Sequence, residues 1–194
     1  MLNKFFISKV RVKILKLFLL NVNSVFHVRE IVRQTEEEIN AVRRILTELE
    51  NVGFLISERN GNRLYYRLNK DFEFFEEFIS LFNKEYGLGE RIIKHKVKLG
   101  NIKLVFFTNA YIQSKRKNED DLDLVIVGNN INFIYLEKLI KEYEDRTGKN
   151  INYTYLSQIE FDTYKKNTYF LNNIVNKEKI ILVGEESFVH NEIR

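Results

Sequence analysis

In the first half of the chain, apolar residues recur every three or four positions over three stretches that polar residues separate. This spacing puts them on one face of a helix, so it predicts three amphipathic helices. The first lies near residues 7–21, a short one covers 29–34, and a longer one covers 36–52. In the longest helix the predicted buried face consists of Ile39, Val42, Leu46 and Leu49.

After the third helix the pattern changes from helical spacing to strict alternation. Gly53 stands where a helix commonly ends on a residue with positive φ. The stretches 54–59 and 63–68 alternate at period two around Asn60-Gly61-Asn62, which predicts a β-hairpin. The order helix, turn, helix, hairpin is typical of a winged helix-turn-helix, which places one helix in the DNA major groove and the hairpin beside it.

Polar residues on the outer side of these elements are candidates for DNA contacts. Asn and Arg side chains make bidentate hydrogen bonds to adenine and guanine edges, and both types occur near the start of the third helix. Basic residues at a hairpin tip reach phosphates or the minor groove. The predicted contacts with double-stranded DNA are Arg29, Asn40, Arg43, Arg44, Arg59, Asn60 and Arg63.

The charge distribution favours the same interpretation, with one local exception. Residues 1–70 contain 13 Lys and Arg against 7 Asp and Glu, whereas the rest of the chain contains 18 against 20. A basic front half is the expected footprint of a nucleic-acid-binding module, although so small an excess also fits an ordinary solvated surface. The exception is Glu36-Glu37-Glu38, which would repel phosphate or would stabilise the positive end of a helix dipole. A winged helix that binds protein instead of DNA is the interpretation that these acids favour.

The segment 71–86 is rich in phenylalanine at helical spacing. Because this segment lies between two candidate domains, we expect it to form either a helix that packs between them or the interface of a homodimer. The stripe consists of Phe72, Phe75, Phe78, Ile79 and Phe82.

Beyond this helix, predicted strands alternate with predicted helices, as in an α/β or α+β domain. The strands are expected at 102–107, 121–127, 150–156 and 179–183. Ser157 and Glu160 have the spacing of a capping box at a helix start. The predicted organisation is a winged helix at 1–70, a connecting helix at 71–88 and a second domain at 89–194.

Two carboxylates open the second of these strands. Asp121 and Asp123 are two residues apart, so in a strand they would point to the same side. Such a pair can hold a divalent metal ion for nucleotidyl transfer. A structural role is the commoner explanation, because acids often stand where a loop meets a strand.

Two family resemblances follow from these motifs. Residues 25–68 resemble the ArsR-like winged-helix repressors, and the resemblance rests on Phe26 to Ile31, Val42 to Arg44, Leu46, Leu49, Gly53, Tyr65, Tyr66, Leu68 and Asn69. Residues 90–184 resemble the minimal nucleotidyltransferases, in which an apolar strand, a Gly-Ser turn and an Asp-x-Asp motif follow one another.

The second resemblance implies a nucleotide held at the Gly-Ser turn and Mg²⁺ held by the acids. Here Thr108 and Asn109 occupy the Gly-Ser positions, and Asn152 stands where the third acid would be. A phosphate-cradling turn favours glycine, and an amide brings no charge to a metal, so the site is expected to be degenerate. An active, metal-dependent nucleotidyltransferase targeted by its winged helix is the alternative.

The fold class predicted overall is α+β with two domains, the second an α/β domain with a mixed sheet. No apolar run approaches the roughly 20 residues that span a bilayer, so no membrane association is expected. The sequence contains no cysteine, which excludes disulfides and thiolate metal sites and suits a cytoplasmic location. The expected function is transcriptional regulation by a DNA-binding dimer, whose second domain serves dimerisation, sensing or partner binding.

Overall fold

The computed structural model describes residues 8–113, 122–185 and 187–190. The chain divides into two units, Met1–Tyr86 and Gly87–Arg194. Both combine helices with a β-sheet, and the sheet of the second unit is mixed, as the predicted fold class requires. Among the described residues, no helix has the length and apolar character needed to cross a bilayer.

In its described residues, 8–86, the first unit contains four helices and a three-stranded antiparallel sheet of order β1-β3-β2. Its elements are α1 (Lys9–Leu19), β1 (Phe26–His27), α2 (Val28–Thr35), α3 (Ile39–Asn51), β2 (Leu55–Asn60), β3 (Arg63–Leu68) and α4 (Phe75–Tyr86). The order α2, α3, β2, β3 is the winged helix-turn-helix arrangement that the hydrophobic pattern predicts.

The core of this unit forms where α1, α2 and α3 pack together. Val42, Leu46 and Leu49 of α3 are buried as predicted, whereas Ile39 in its first turn is half-buried. Burying aliphatic side chains of this size contributes about 1.5–3 kcal/mol each, so this face holds α3 against the unit.

The third helix begins three residues later than its sequence pattern predicts. Glu36 takes φ +55° and donates its N–H to the carbonyl of Val32, so it ends α2 instead of opening α3. Glu38 is extended and caps α3, whose first residue is Ile39. The polar run 34–38 indicates a break between the two helices, but it does not say at which of these residues the second helix begins.

The predicted hairpin is present, with Leu55 opposite Leu68 and Asn60 opposite Arg63. Asn60 belongs to β2, so the turn consists of Gly61 and Asn62 alone. Gly61 has φ +58°, a conformation that favours glycine at the first central position of a two-residue hairpin turn. Gly53 likewise has φ +76°, as predicted, and it follows Val52, the C-cap of α3.

The phenylalanine stripe belongs to the core of the first unit. α4 packs against α1, and Phe75, Ile79 and Phe82 are buried. Phe72 precedes the helix, and its ring lies 5.4 Å from that of Phe54 in an edge-to-face arrangement. The buried part of the stripe is therefore explained by packing within this unit.

The described part of the second unit is built on a four-stranded sheet of order β6-β5-β4-β7. Strands β5 and β6 are parallel, whereas β4 is antiparallel to both β5 and β7. The elements are α5 (Leu88–Lys94), α6 (Lys96–Leu99), β4 (Asn101–Phe107), α7 (Asn109–Gln113), β5 (Leu124–Asn129), α8 (Phe133–Thr147), β6 (Tyr153–Leu156), α9 (Gln158–Tyr164), α10 (Thr168–Phe170), a π-helical turn (Leu171–Val175), β7 (Ile180–Val183) and α11 (Ser187–His190).

One face of this sheet packs into a core that the helices of the last third of the chain complete. Its buried members are Leu104, Phe106, Val125, Val127, Leu156, Phe161, Val175 and Val189. The predicted capping box is confirmed, because Ser157 and Glu160 each accept a backbone N–H from the other. The predicted strand 121–127 is in part wrong, since β5 starts at Leu124 and Asp123 lies in the bend before it.

Candidate nucleic-acid interface

The outer side of α3 carries the predicted base-contacting residues. Asn40, Arg43 and Arg44 are exposed, while Val42 and Leu46 of the same helix are buried. The side chain of Arg44 is 71% exposed, and its Nε lies 4.0 Å from Glu48. An exposed ion pair of this length holds a side chain weakly, so Arg44 can reorient toward a ligand.

The turn before α3 uses one of its acids in an ion pair. The Nζ of Lys13 lies 2.6 Å from the Oε1 of Glu37 and donates to the carbonyl of Thr35 at 2.9 Å. The lysine thereby joins α1 to the end of α2 and compensates the charge of Glu37. Repulsion of phosphate by this turn is smaller than three free carboxylates would cause.

Glu38 is the cap of α3. Its Oε2 accepts the backbone N–H of Asn40 at 2.8 Å and that of Ala41 at 3.0 Å. These two bonds, with the nearby Arg43, lower the pKa of Glu38 below its ordinary value. The acid stabilises the positive end of the helix dipole, and it also occupies N–H groups that could otherwise bind a phosphate.

The hairpin presents its basic residues on two faces. In an antiparallel pair, opposite residues share a face, so Asn60 and Arg63 lie together on the outer one. Arg59 shares the other face with buried Leu55 and Leu68, although it is itself exposed near the tip.

Arg67 is a basic residue of this surface that the sequence analysis missed. It lies four residues after Arg63 on the same face of β3 and is exposed. The alternation of Arg63, Tyr65 and Arg67 in the sequence was the signal that could have identified it.

Arg29 lies on α2 and is exposed. The N–H of Glu30 bonds to the Nδ1 of His27 at 3.2 Å, so the imidazole caps the start of this helix. α2 packs against α3, and the two helices together carry four of the seven predicted contacts.

A second set of predicted residues meets at one end of the mixed sheet. Thr108 follows β4 and donates its N–H to the carbonyl of Asp123 at 2.9 Å, and its hydroxyl donates to the carbonyl of Leu122. Two hydrogen bonds join Asp123 and Asn152. The Asn152 carbonyl accepts the N–H of Asp123 at 2.6 Å, and an Asp123 carboxylate oxygen accepts the N–H of Asn152 at 2.9 Å.

These bonds give the Asp123 carboxylate a structural role. The residue is only 4% exposed, and it ties the start of β5 to the segment before β6. Asn109 begins α7 with its side-chain oxygen buried. Asp121 lies outside the described residues, so the predicted pairing of the two carboxylates is untested. Within the described part of the chain, no three His, Asp or Glu side chains form a group able to hold a metal ion.

Two tyrosines occupy the interior close to Asp123. The ring of Tyr111 stacks on Phe107 with 3.9 Å between centroids. Burial raises the pKa of Tyr111 well above its ordinary value, and the neighbouring Tyr143 and Asp123 raise it further. Both tyrosines therefore remain neutral, and their environment is that of an apolar core.

Comparisons with known proteins gave only distant likenesses. No protein-family model matches the sequence, and no curated protein matches it. The crystal structure of NadR in complex with 4-hydroxyphenylacetate is 22% identical, covering 50% of this chain and 72% of that one, with a TM-score of 0.37. The structure of TrmBL2, an archaeal chromatin protein described as having a novel mode of DNA binding, is 17% identical, covering 87% of this chain and 72% of that one, with a TM-score of 0.30. Both TM-scores lie below 0.5, so neither likeness establishes a shared fold or function.

Proposed function

We propose that this chain is a DNA-binding transcriptional regulator, in which the winged helix of the first unit binds double-stranded DNA. The observation that carries the proposal is the division of α3 into a buried apolar face and an exposed face with Asn40, Arg43 and Arg44. A helix of this kind, held firmly by its inner face, can present its outer side chains to base edges in the major groove.

The hairpin supports the same function. Asn60, Arg63 and Arg67 share its outer face, and the opposite face packs against the unit through Leu55 and Leu68. A basic hairpin anchored in this way fits the phosphates that flank a groove. Arg59 at the tip and Arg29 on α2 would add further phosphate contacts.

For the second unit we propose a role in dimerisation, sensing or partner binding. The resemblance to nucleotidyltransferases supports catalysis less well, because the Asp123 carboxylate holds the backbone of Asn152 and an amide replaces the third acid. Regulators with winged helices commonly bind two half-sites as dimers, so a homodimer is part of the proposal.

Binding of the full-length protein to upstream DNA from its own locus tests the proposal. We expect the double variant Arg43→Ala, Arg44→Ala to bind at least tenfold more weakly than wild type, because each arginine contact is worth about 1–3 kcal/mol. Titrations over a range of salt concentrations would also show a smaller salt dependence of its binding constant.

The matched control is Lys9→Ala with Lys84→Ala. Both lysines are exposed in the first unit but lie on α1 and α4, so this variant has the same loss of charge. It should bind DNA nearly as wild type does. If the arginine variant bound as tightly as wild type, the winged helix would not be the DNA-binding element.

A further inference from the structure

The mixed sheet of the second unit has two edge strands, and one of them is open to a further strand. In the order β6-β5-β4-β7, strands β6 and β7 are outermost. α5 packs against β7. Within the described residues β6 pairs with β5 alone, so the other side of β6 can accept the backbone hydrogen bonds of an added strand.

The composition of β6 favours such pairing. Its four residues, Tyr153–Leu156, include no charged residue, no proline and no glycine. Soluble proteins usually protect a free edge with lysine, proline or a bulge. The register of β6 against β5 is regular over all four residues, and tyrosine and threonine are residue types that strands favour. An edge with these properties is expected to be paired in the working form of the protein.

An exposed aromatic pair lies beside this edge. Leu156 belongs to the core on one face of the sheet, so its neighbour Tyr155 points to the opposite face. There its ring stacks on that of Phe133 of α8, with 5.5 Å between centroids. Phe133 is nevertheless 50% exposed and Tyr155 41% exposed. A partner at the edge of β6 would bury apolar surface that a single chain leaves in water.

A groove of about 510 Å³ lies on the same face, between α8 and β6. Tyr153 lines it from β6, and the Oε1 of Glu144 accepts the N–H of Ile151 at 2.7 Å, just before the strand. The charged residues of the groove are Glu137, Lys141, Glu144 and Asp145. Because it contains charges of both signs, this face of α8 can oppose a copy of itself with Lys141 directed at the acids of the other copy. A face of acids alone would repel its copy.

Antiparallel pairing of β6 with a second β6 satisfies two-fold symmetry. The axis is then perpendicular to the sheet, so both copies of α8 lie on one face of the joined sheet. The Phe133–Tyr155 pairs come close to the axis, and the groove faces of the two helices are directed at each other. A four-residue edge alone is smaller than the interface of about 1,000 Å² that a specific dimer needs, and these side chains supply the remainder.

We propose that β6 forms the dimer interface of this chain by pairing antiparallel with β6 of a second copy, which joins the two sheets into one of eight strands, four from each copy. The inference rests on the homodimer of the proposed function and identifies the surface that builds it. A lysine-rich peptide, which the acids of the groove would attract, fits the edge less well because Lys141 stands among those acids.

Sedimentation of the full-length protein over a range of concentrations tests the aromatic edge. Tyr155→Lys introduces two like charges near the axis, so the dissociation constant of the dimer should rise by about tenfold or more. The matched control is Tyr169→Lys, since Tyr169 is an exposed tyrosine of α10. It should leave the constant unchanged, and thermal melting should show that both variants fold.

The charged face of α8 has its own pair of variants. Lys141→Glu leaves only acids in the groove, so it should also weaken the dimer. Lys138→Glu makes the same change of charge on α8 at an exposed position that does not line the groove, and it should have little effect.

Cross-linking locates the contact directly. The chain contains no cysteine, so a single introduced cysteine reacts without background. Opposite residues of an antiparallel pair have Cα atoms about 4.5–5.5 Å apart. A short bismaleimide should therefore link two copies through at least one of Tyr153→Cys and Tyr155→Cys, and it should not link Tyr169→Cys.

The outcomes separate this inference from the function on which it rests. A dimer that survives Tyr155→Lys and is not linked at either β6 cysteine would overturn the inference and leave a dimeric regulator intact. Equal weakening by Tyr155→Lys and Tyr169→Lys would show an effect of net charge alone and would also overturn it.

A wild type that is monomeric at every concentration would remove both the interface and the homodimer. DNA binding by the winged helix would stand, because Arg43→Ala with Arg44→Ala tests it separately. If this monomer bound an oligolysine peptide and Tyr155→Lys abolished that binding, the edge would belong to a basic peptide, and the inference would likewise be wrong.

Discussion

Several charged residues of this protein have structural roles that their residue type alone does not indicate. Glu36 ends a helix in the left-handed region, Glu37 pairs with Lys13, and Glu38 caps the next helix. Asp123 similarly holds a backbone N–H at a strand junction. For Glu37, Glu38 and Asp123, the partners of the carboxylate account for the residue without a role in binding or catalysis.

Asp123 permits a direct test of that explanation. We expect Asp123→Ala to reduce the free energy of unfolding by about 1–3 kcal/mol, because the N–H of Asn152 would lose its acceptor in a largely buried position. Asp123→Asn keeps an acceptor oxygen and should cost less. Urea denaturation of the three proteins measures the difference.

A different result would favour catalysis. If Asp123→Ala left stability unchanged, and if wild type but not Asp123→Asn transferred label from nucleoside triphosphates in the presence of Mg²⁺, the structural interpretation would be wrong.

At the scale of the element, α3 has a buried inner face, a capped first turn and an exposed outer face. Its apolar face fixes it in the unit, Glu38 satisfies two N–H groups at its start, and its outer face remains available. The turn of Glu residues before it is therefore compatible with DNA binding, because two of the three acids have partners.

The cap predicts a pH dependence of stability. The pKa of Glu38 is lowered in the folded chain from its ordinary value of 4.5, so its charged form stabilises the fold. This stabilisation is fully present above pH 4.5 and is lost as the pH falls through the lower folded value. Wild type should be more stable than Glu38→Gln at pH 7, and the difference should disappear at low pH.

Thermal melting followed by circular dichroism between pH 7 and 3 measures this convergence. Glu58→Gln is the control, because it removes an exposed carboxylate of β2 that caps no helix. A gap between wild type and Glu38→Gln that stayed constant across the pH range would contradict the role of the cap.

At the scale of the whole molecule, the two units have different charge patterns and different sheets. The first combines an antiparallel sheet with exposed arginines on α3 and the hairpin, and the second has a mixed sheet.

The proposed dimer makes a quantitative prediction. Light scattering after gel filtration should give twice the chain mass of 23.3 kDa at micromolar concentration. The DNA footprint should contain two half-sites whose centres are about 34–36 Å apart, which is one helical turn, or a multiple of that distance. A monomer both with and without DNA would contradict this part of the proposal.

The sequence by itself determined which segments form helices and strands and which of their faces are buried. The alternation of 63–68, Gly61 in the turn and the spacing of Val42, Leu46 and Leu49 are local signals, and local backbone geometry enforces them. The capping box at Ser157 and Glu160 is local in the same sense. The helix boundary near Glu36 was not determined in this way, because the polar run 34–38 does not show at which residue one helix ends and the next begins.

Only the tertiary structure decided what the charged residues contact. Lys13 meets Glu37 and Thr35 across 24 and 22 positions, and Asp123 meets Asn152 across 29. Arg91 likewise meets Glu142 across 51 positions. Such pairings depend on how helices and strands pack, and a periodic pattern contains no information about the partner that a charge will find.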